Sequence, residues 1–201
     1  MNRKRKTKEP CGKCFLHIDH CICEHLDKIE LLTRVDLVVH YKELKRTTNT
    51  GRLISELLTN QKIWVRGVEN EPLDHSLILD PSYKALLLYP ADDAADLTKE
   101  FINSLEGDLP IQLVVPDGNW RQASKVHYRV EELKGVQRIK LPEVLADREN
   151  LVRKESKPAG MSTLESIGHA LGVLEGESAR DHILEGYRQK KEATLKARGE
   201  K

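Results

Sequence analysis

Four cysteines stand between positions 11 and 23, in the stretch CGKCFLHIDHCIC: Cys11, Cys14, Cys21 and Cys23, spaced C-x2-C-x6-C-x-C. In a reducing compartment four thiols so close together are poor disulfide partners and good metal ligands. Zn2+ takes four thiolates tetrahedrally, and the two-residue gap lets one tight turn present both Cys11 and Cys14 to a single ion. The C-x-C half is less usual, because alternate residues of an extended backbone must share the ion at a strained angle. A structural zinc site is the favoured reading. Two others stay open: His17, His20 or His25 replacing a cysteine, and an iron–sulfur cluster, which also uses four thiolates. A redox role for Cys11 and Cys14 is weaker, since no strand-like segment precedes them. A site with four protein ligands has no open position for water, so its work is folding and docking.

A second concentration of chemistry lies in IQLVVPDGNWRQASKV, 111 to 126. Asp117 sits where a strand end would expose a carboxylate able to take a proton. Gly118 lets a ligand approach the backbone with no side chain in the way. Trp120 offers a flat face for stacking a base and an indole N–H. The same residues fit a plainer arrangement equally well, with Asp117 capping the next helix and Trp120 packed into the core. A third polar cluster, HYKELKRTTNTGRLI (40 to 54), places Asn49, Thr50, Gly51 and Arg52 before a helix, where an N-terminus and an arginine could hold a phosphate. On that segment alone an ordinary capped helix start is the better reading. Neither a lysine-bearing P-loop nor G-x-G-x-x-G occurs in the chain.

These loops need elements to carry them, and hydropathy periodicity supplies a strand–helix alternation. Strands are expected at 34–41, 62–67, 83–90, 111–116 and 135–141. Helices are expected at 51–58, 94–107, 119–134 and 162–176, the last with Ser162 and Glu165 in capping-box spacing. Alternation of this kind predicts an α/β fold, a mostly parallel sheet with helices on both faces. Ligands then sit beyond the carboxyl ends of the strands, which points to LLLYP, VVPDGNW and the loop RKESKPAGMSTLE.

Composition sets the outer bounds. The chain has 201 residues, 39% hydrophobic and 32% charged, with a net charge of +1, which excludes a disordered or membrane-embedded chain and predicts one main core. No apolar run is long enough for a membrane span or signal peptide, so a cytoplasmic location is expected. Basic residues gather at the ends: Arg3, Lys4, Arg5, Lys6 and Lys8 at the front, and seven Lys/Arg against four Asp/Glu in the last 24 residues. Such ends can follow phosphates, although solvated, frayed termini explain either one as well.

Taken in order, the cysteine cluster, TNTGRL, LLLYP, DGNW before a helix carrying QA, and STLE at a helix start resemble the DTW-domain proteins, the tRNA-uridine aminocarboxypropyltransferases, from about Cys11 to about Gly172. The resemblance implies S-adenosylmethionine as co-substrate, transfer of its 3-amino-3-carboxypropyl group to N3 of a tRNA uridine, and release of 5'-methylthioadenosine. It also implies a fold related to the SPOUT class, with a C-terminal knot and a tendency to homodimerise. Residues 1–30 would form a basic arm and zinc knuckle, and 31–201 a catalytic domain with a basic C-terminal helix or tail. Carried over by position, Asp117 and Trp120 form the catalytic centre. Tyr89, Pro90, Gly118, Asn119, Ser162, Thr163 and Glu165 line the cofactor pocket, and Asn49, Thr50, Arg52 and Arg121, with the basic termini, hold the tRNA. One departure stands out: the family's threonine is Asn119 here. A SPOUT-type RNA methyltransferase and a non-catalytic, zinc-stabilised RNA-binding protein are the alternatives.

Overall fold

A computed structural model describes residues 9–142 and 161–199, with the backbone alone at Trp120 and His127. The basic arm 1–8 and most of the loop before STLE therefore lie outside the described residues. Six strands, β1 (Arg34–His40), β2 (Gln61–Arg66), β3 (Lys84–Leu88), β4 (Ala95–Asp96), β5 (Ile111–Asp117) and β6 (Gln137–Lys140), form one sheet in the order β2-β1-β5-β3-β6-β4. Every pairing is parallel. Parallel strands buried on both faces read as continuous apolar runs, which is why RVDLVVH and IQLVVPD look alike in sequence.

The helices are α1 (Tyr41–Leu44), α2 (Ile54–Leu57), α3 (Lys99–Asn103), α4 (Trp120–Arg129), α5 (Thr163–Leu174) and α6 (Glu177–Arg198). Side chains alternate across the sheet. Leu37, Val39, Leu86, Leu88, Leu113 and Val115 share the larger core with Leu57 of α2, Ile167 of α5 and Ile183 of α6. Val38, Leu87 and Val114 pack on the other face with Val126 of α4, and with Val130 and Leu133 just beyond it. Helices on both faces of a parallel sheet match the expected class. Cys11, Cys14, Leu16 and Ile22 belong to the larger core, so the cysteine segment is packed into the sheet's own interior. The knot implied by the resemblance depends on the path from β6 to α5, of which 143–160 lie outside the described residues.

Three elements differ from the expectations. The helix expected at 94–107 is the two-residue strand β4 followed by α3, because Thr98 caps α3 through Phe101 N–H at 3.1 Å while Leu97 N–H reaches Lys140 O at 2.8 Å. Edge pairing with β6 overrides the helix propensity of AADL. The helix expected at 119–134 stops at Arg129: Val130 is extended (ψ 104°) and a 3-10 turn, Glu131–Leu133, follows. The helix expected at 51–58 is a 3-10 turn, Gly51–Leu53, leading into α2. The C-terminal stretch is a 22-residue helix, α6, burying Ala179, Ile183, Gly186, Lys190 and Ala193 along one stripe. No helix among the described residues is long and apolar enough to cross a membrane.

The second tryptophan has a structural role. Asp36, fully buried, accepts from Trp64 Nε1 at 2.9 Å and from Gln112, and pairs with Arg34 Nε at 2.9 Å. A buried charge so fully partnered holds strands β1, β2 and β5 in register near their amino ends.

If α6 is part of the core, Ile183→Ala should lower unfolding free energy by about 2–4 kcal/mol in urea denaturation. A cost under ~0.5 kcal/mol, typical of surface positions, would mark the segment as a loosely attached tail.

Candidate active site

β5 lies inside the sheet between β1 and β3, and Asp117, its last residue, pairs with Val39 of β1. Its parity is that of Leu113 and Val115, so its side chain faces the side covered by α5. The next residue must turn the chain out of the sheet. Gly118 does so at φ +148°, and a Cβ there would stand 2.8 Å from Gln122 Oε1, so only glycine fits. Asn119 then caps α4: its Oδ1 accepts Gln122 N–H at 3.0 Å and Gln122 Oε1 accepts Asn119 N–H at 2.8 Å. This reciprocal capping box settles the helix-cap alternative for Asp117, because the cap is Asn119 and the carboxylate is free for other partners.

Those partners come from two distant segments. Asn49 Nδ2 donates to Asp117 Oδ2 at 2.6 Å, and Thr163 Oγ1 donates to Oδ1 at 2.5 Å. The TNTGRL, PDGNW and STLE segments thus converge on one carboxylate, which is 4% exposed. Close approach of the first segment needs Gly51, where a Cβ would lie 3.0 Å from Asp117 Oδ2. Burial pushes the Asp117 pKa above its ordinary value. The side-chain donors Thr163 and Asn49 and the Gly118 backbone N–H pull it down, and the nearby Glu43 charge pushes it up again. All of these donors are neutral, so no cation offsets the desolvation. Glu43 itself is buried, pairs with Arg46 at 3.0 Å, and has one oxygen, Oε1, without a hydrogen-bond partner among the described residues. Sequence reasoning passed over Glu43, since an acid among KELKR looks like an ordinary solvated helix residue.

The remaining residues named from sequence are distributed around this point. Ser162 and Glu165 form the expected capping box at the start of α5, with Glu165 N–H on Ser162 Oγ at 3.3 Å and Ser162 N–H on Glu165 Oε2 at 2.8 Å. Tyr89 follows β3 and its N–H donates to Ile139 O at 2.9 Å, while Pro90 is exposed beside it. Thr50 precedes the 3-10 turn without a capping bond of its own. Arg121 is exposed in the first turn of α4. Trp120 opens α4, and its indole lies outside what the structure describes. Arg52 is half-buried: its Nη1 donates to Leu44 O at 2.5 Å, its Nη2 to Gly12 O at 2.8 Å, and its guanidinium stacks 4.1 Å over the Phe15 ring. A cleft of about 250 Å³ lies at the opposite, amino end of the strands, lined in part by Thr33, Lys84 and Pro110.

The four cysteine sulfurs lie within 4.8 Å of one another, with separations of 3.4 Å (Cys11–Cys21) and 3.9 Å (Cys11–Cys23 and Cys14–Cys21). Four thiolates at ~2.3 Å from one ion stand about 3.8 Å apart, so the group fits a single tetrahedral metal. The group contains no histidine, and its sulfurs are too close to wrap a multi-iron cluster. Burial pushes the Cys21 and Cys23 thiols up. It also opposes the Cys11 thiolate, but backbone N–H donors from Cys14 and Lys13 bring that thiol down to about 6. Four packed thiols cannot all ionise without a cation between them. Arg52 and Lys190 of α6 also lie against the knuckle, Lys190 being 1% exposed and donating to Cys14 O.

The family matched is the DTW domain, over residues 8–195. The chain belongs to the DTW family. A relative, the tRNA-uridine aminocarboxypropyltransferase 2 of Macaca fascicularis, is 26% identical over 178 residues, covering 85% of this chain. The chain corresponds to 58% of that relative's length. A solved structure, the SAM-dependent rRNA:acp-transferase Tsr3 from Vulcanisaeta distributa, aligns over 83% of this chain and 84% of its own at a TM-score of 0.46 and 18% identity.

A folded-state pKa raised above the unfolded value means that Asp117 favours the folded chain at low pH, and that this contribution fades as pH rises through the folded pKa. In carbon-detected NMR the Asp117 carboxyl should titrate with a midpoint above 3.8. Over the same range Asp117→Asn should gain stability relative to the parent chain. A midpoint at or below the ordinary value would show that the donors outweigh burial.

Proposed function

We propose that the chain moves the 3-amino-3-carboxypropyl group of S-adenosylmethionine to N3 of a uridine in tRNA, releasing 5'-methylthioadenosine, in the cytoplasm. The observation that carries the reading is Asp117: a desolvated carboxylate at the carboxyl end of an interior strand, in the family's own motif, held by Asn49 and Thr163. Membership of the DTW family and the name of the macaque relative support it.

The chemistry asks for a base. Uridine N3–H is a weak acid, and N3 must lose its proton as it bonds to the γ-carbon of the aminocarboxypropyl chain and the carbon–sulfur bond breaks. Asp117 takes that proton, directly or through one water, and its raised pKa brings it closer to the working pH. Asn49 and Thr163 fix both carboxylate oxygens, so orientation costs nothing at the moment of reaction. A sulfonium-bearing co-substrate is cationic near the break, and the residues around Asp117 are compatible with it: Asp117 has no described cation on it, and Glu43, paired with Arg46 through Oε2, leaves Oε1 as a further acceptor. Trp120 is assigned to stacking the target uracil or the adenine, which offsets the cost of turning a base out of the folded tRNA. The cysteine knuckle is assigned a zinc ion with a folding and docking role.

Two results decide the reading. With co-substrate labelled in the carboxyl carbon, tRNA should become labelled and 5'-methylthioadenosine should accumulate. Labelling from the methyl carbon with S-adenosylhomocysteine as product would make the chain a methyltransferase. Asp117→Ala should cut turnover by about 10²- to 10⁴-fold while leaving tRNA affinity nearly unchanged. Elemental analysis of the purified chain should find one zinc and no iron, and Cys14→Ser should lose the zinc and lower the melting temperature. Iron in place of zinc would overturn the assignment of the ion.

A further inference from the structure

α4, WRQASKVHYR, carries no acidic residue. Arg121, Lys125 and Arg129 recur at every fourth position, which stacks three like charges along one face of the helix. Arg121 and Arg129 are exposed and Lys125 half-exposed, and among the described residues none of the three has an ion-pair partner. On α6, by contrast, Arg188 is flanked by Glu185 at 2.5 Å and by Glu192. Like charges at i, i+4 and i+8 destabilise a helix modestly, a repulsion that an anionic partner on this face would relieve.

The ridge is continued by other elements. Arg66, the last residue of β2, donates to Gln122 O at 3.2 Å and feels the charge of Arg129. His40, the last residue of β1, feels Arg66, Lys42 and Lys125 together, with Glu43 the one nearby acid. Glu43 is already paired with Arg46. One continuous cationic track therefore runs along α4 and across the carboxyl ends of β1 and β2, and it begins four residues from Asp117, at Arg121.

We propose that this ridge, Arg121, Lys125 and Arg129 with Arg66 and Lys42 beside them, is a docking track for an RNA phosphodiester backbone, aimed to deliver a nucleotide to Asp117. The proposal rests on the transfer reading for its choice of RNA. Spacing favours that partner: charges one helical turn apart, about 6 Å, match the separation of successive phosphates along a strand. The track keeps Arg121 from the RNA-holding residues read in the sequence and adds Lys125, Arg129, Arg66 and Lys42, whereas Asn49 and Arg52 are committed to Asp117, Leu44 and Gly12.

The test is binding of unfractionated tRNA by the full chain, measured by fluorescence anisotropy over a salt series. The triple variant Arg121→Gln, Lys125→Gln, Arg129→Gln removes helix repulsion, so its melting temperature should match or exceed that of the parent. Its affinity should fall by about tenfold or more, and its log–log salt slope by roughly 2 to 3. KM for tRNA should rise with kcat at saturation unchanged. Lys125→Glu alone should weaken binding, whereas Lys99→Glu, near the β4 edge of the sheet, should not. A triple variant with the parent's affinity and slope overturns the track even if the chain modifies tRNA. A ridge-dependent slope in a chain that transfers nothing upholds the track while the transfer reading falls. Ridge-dependent binding to phosphatidylserine vesicles, with no effect on tRNA, would assign the surface to a membrane and overturn the proposal.

Discussion

The structure is organised around a carboxylate that has been taken out of water without being given a counter-ion. Asp117 is 4% exposed, and its two oxygens are met by an amide and a hydroxyl. Burying an ionisable carboxyl with neutral partners costs folding stability, and the group answers by favouring its protonated form. Such an arrangement is retained only if something is gained elsewhere. A desolvated, rigidly held carboxylate is what proton removal from a weakly acidic nucleophile requires.

Much of the fold can be traced to holding the two donors. Asn49 is itself held, because its Oδ1 accepts Arg52 N–H at 3.0 Å. The Arg52 side chain then reaches Gly12 O and Phe15 in the cysteine knuckle. Lys13 pairs with Glu56 of α2 at 2.8 Å, and Lys190 of α6 donates to Cys14 O. The knuckle therefore acts as a clamp on the loop that delivers Asn49, a structural link between the cysteine cluster and Asp117 that needs no direct contact between them. Thr163 is held differently: the Ser162–Glu165 box fixes the first turn of α5, and the packing of α5 between sheet and α6 fixes the helix.

The sequence carries the layer architecture and the strands plainly, because parallel strands buried on both faces need long β-branched runs. It also carries the Ser162 box, since S-x-x-E is a local signal. The Asn119–Gln122 box is equally local, but N-x-x-Q lies two residues beyond Asp117, itself a good capping residue type, so the pattern alone does not say which of the two caps α4. What no local pattern could show is the convergence on Asp117, which joins residues 68 and 46 positions apart. β4 was hidden because two residues have no periodicity. The sequence offers α6 only as a basic helix or tail, and its buried stripe is hidden because two of its five buried residues are Gly186 and Lys190, which an apolar-stripe search discards. Glu43 was hidden because nothing in KELKR says that one acid will be buried.

The central claim is that Asp117 is the base and that its neutral donors set its proton affinity. The pH dependence of kcat/KM for aminocarboxypropyl transfer tests this most directly when the parent chain is compared with Thr163→Val. Loss of a donor to the charged form should raise the Asp117 pKa, so the acid limb of the profile should move to higher pH in the variant while keeping its shape. An acid limb at the same pH in both chains would contradict the claim, whatever the variant does to the maximal rate.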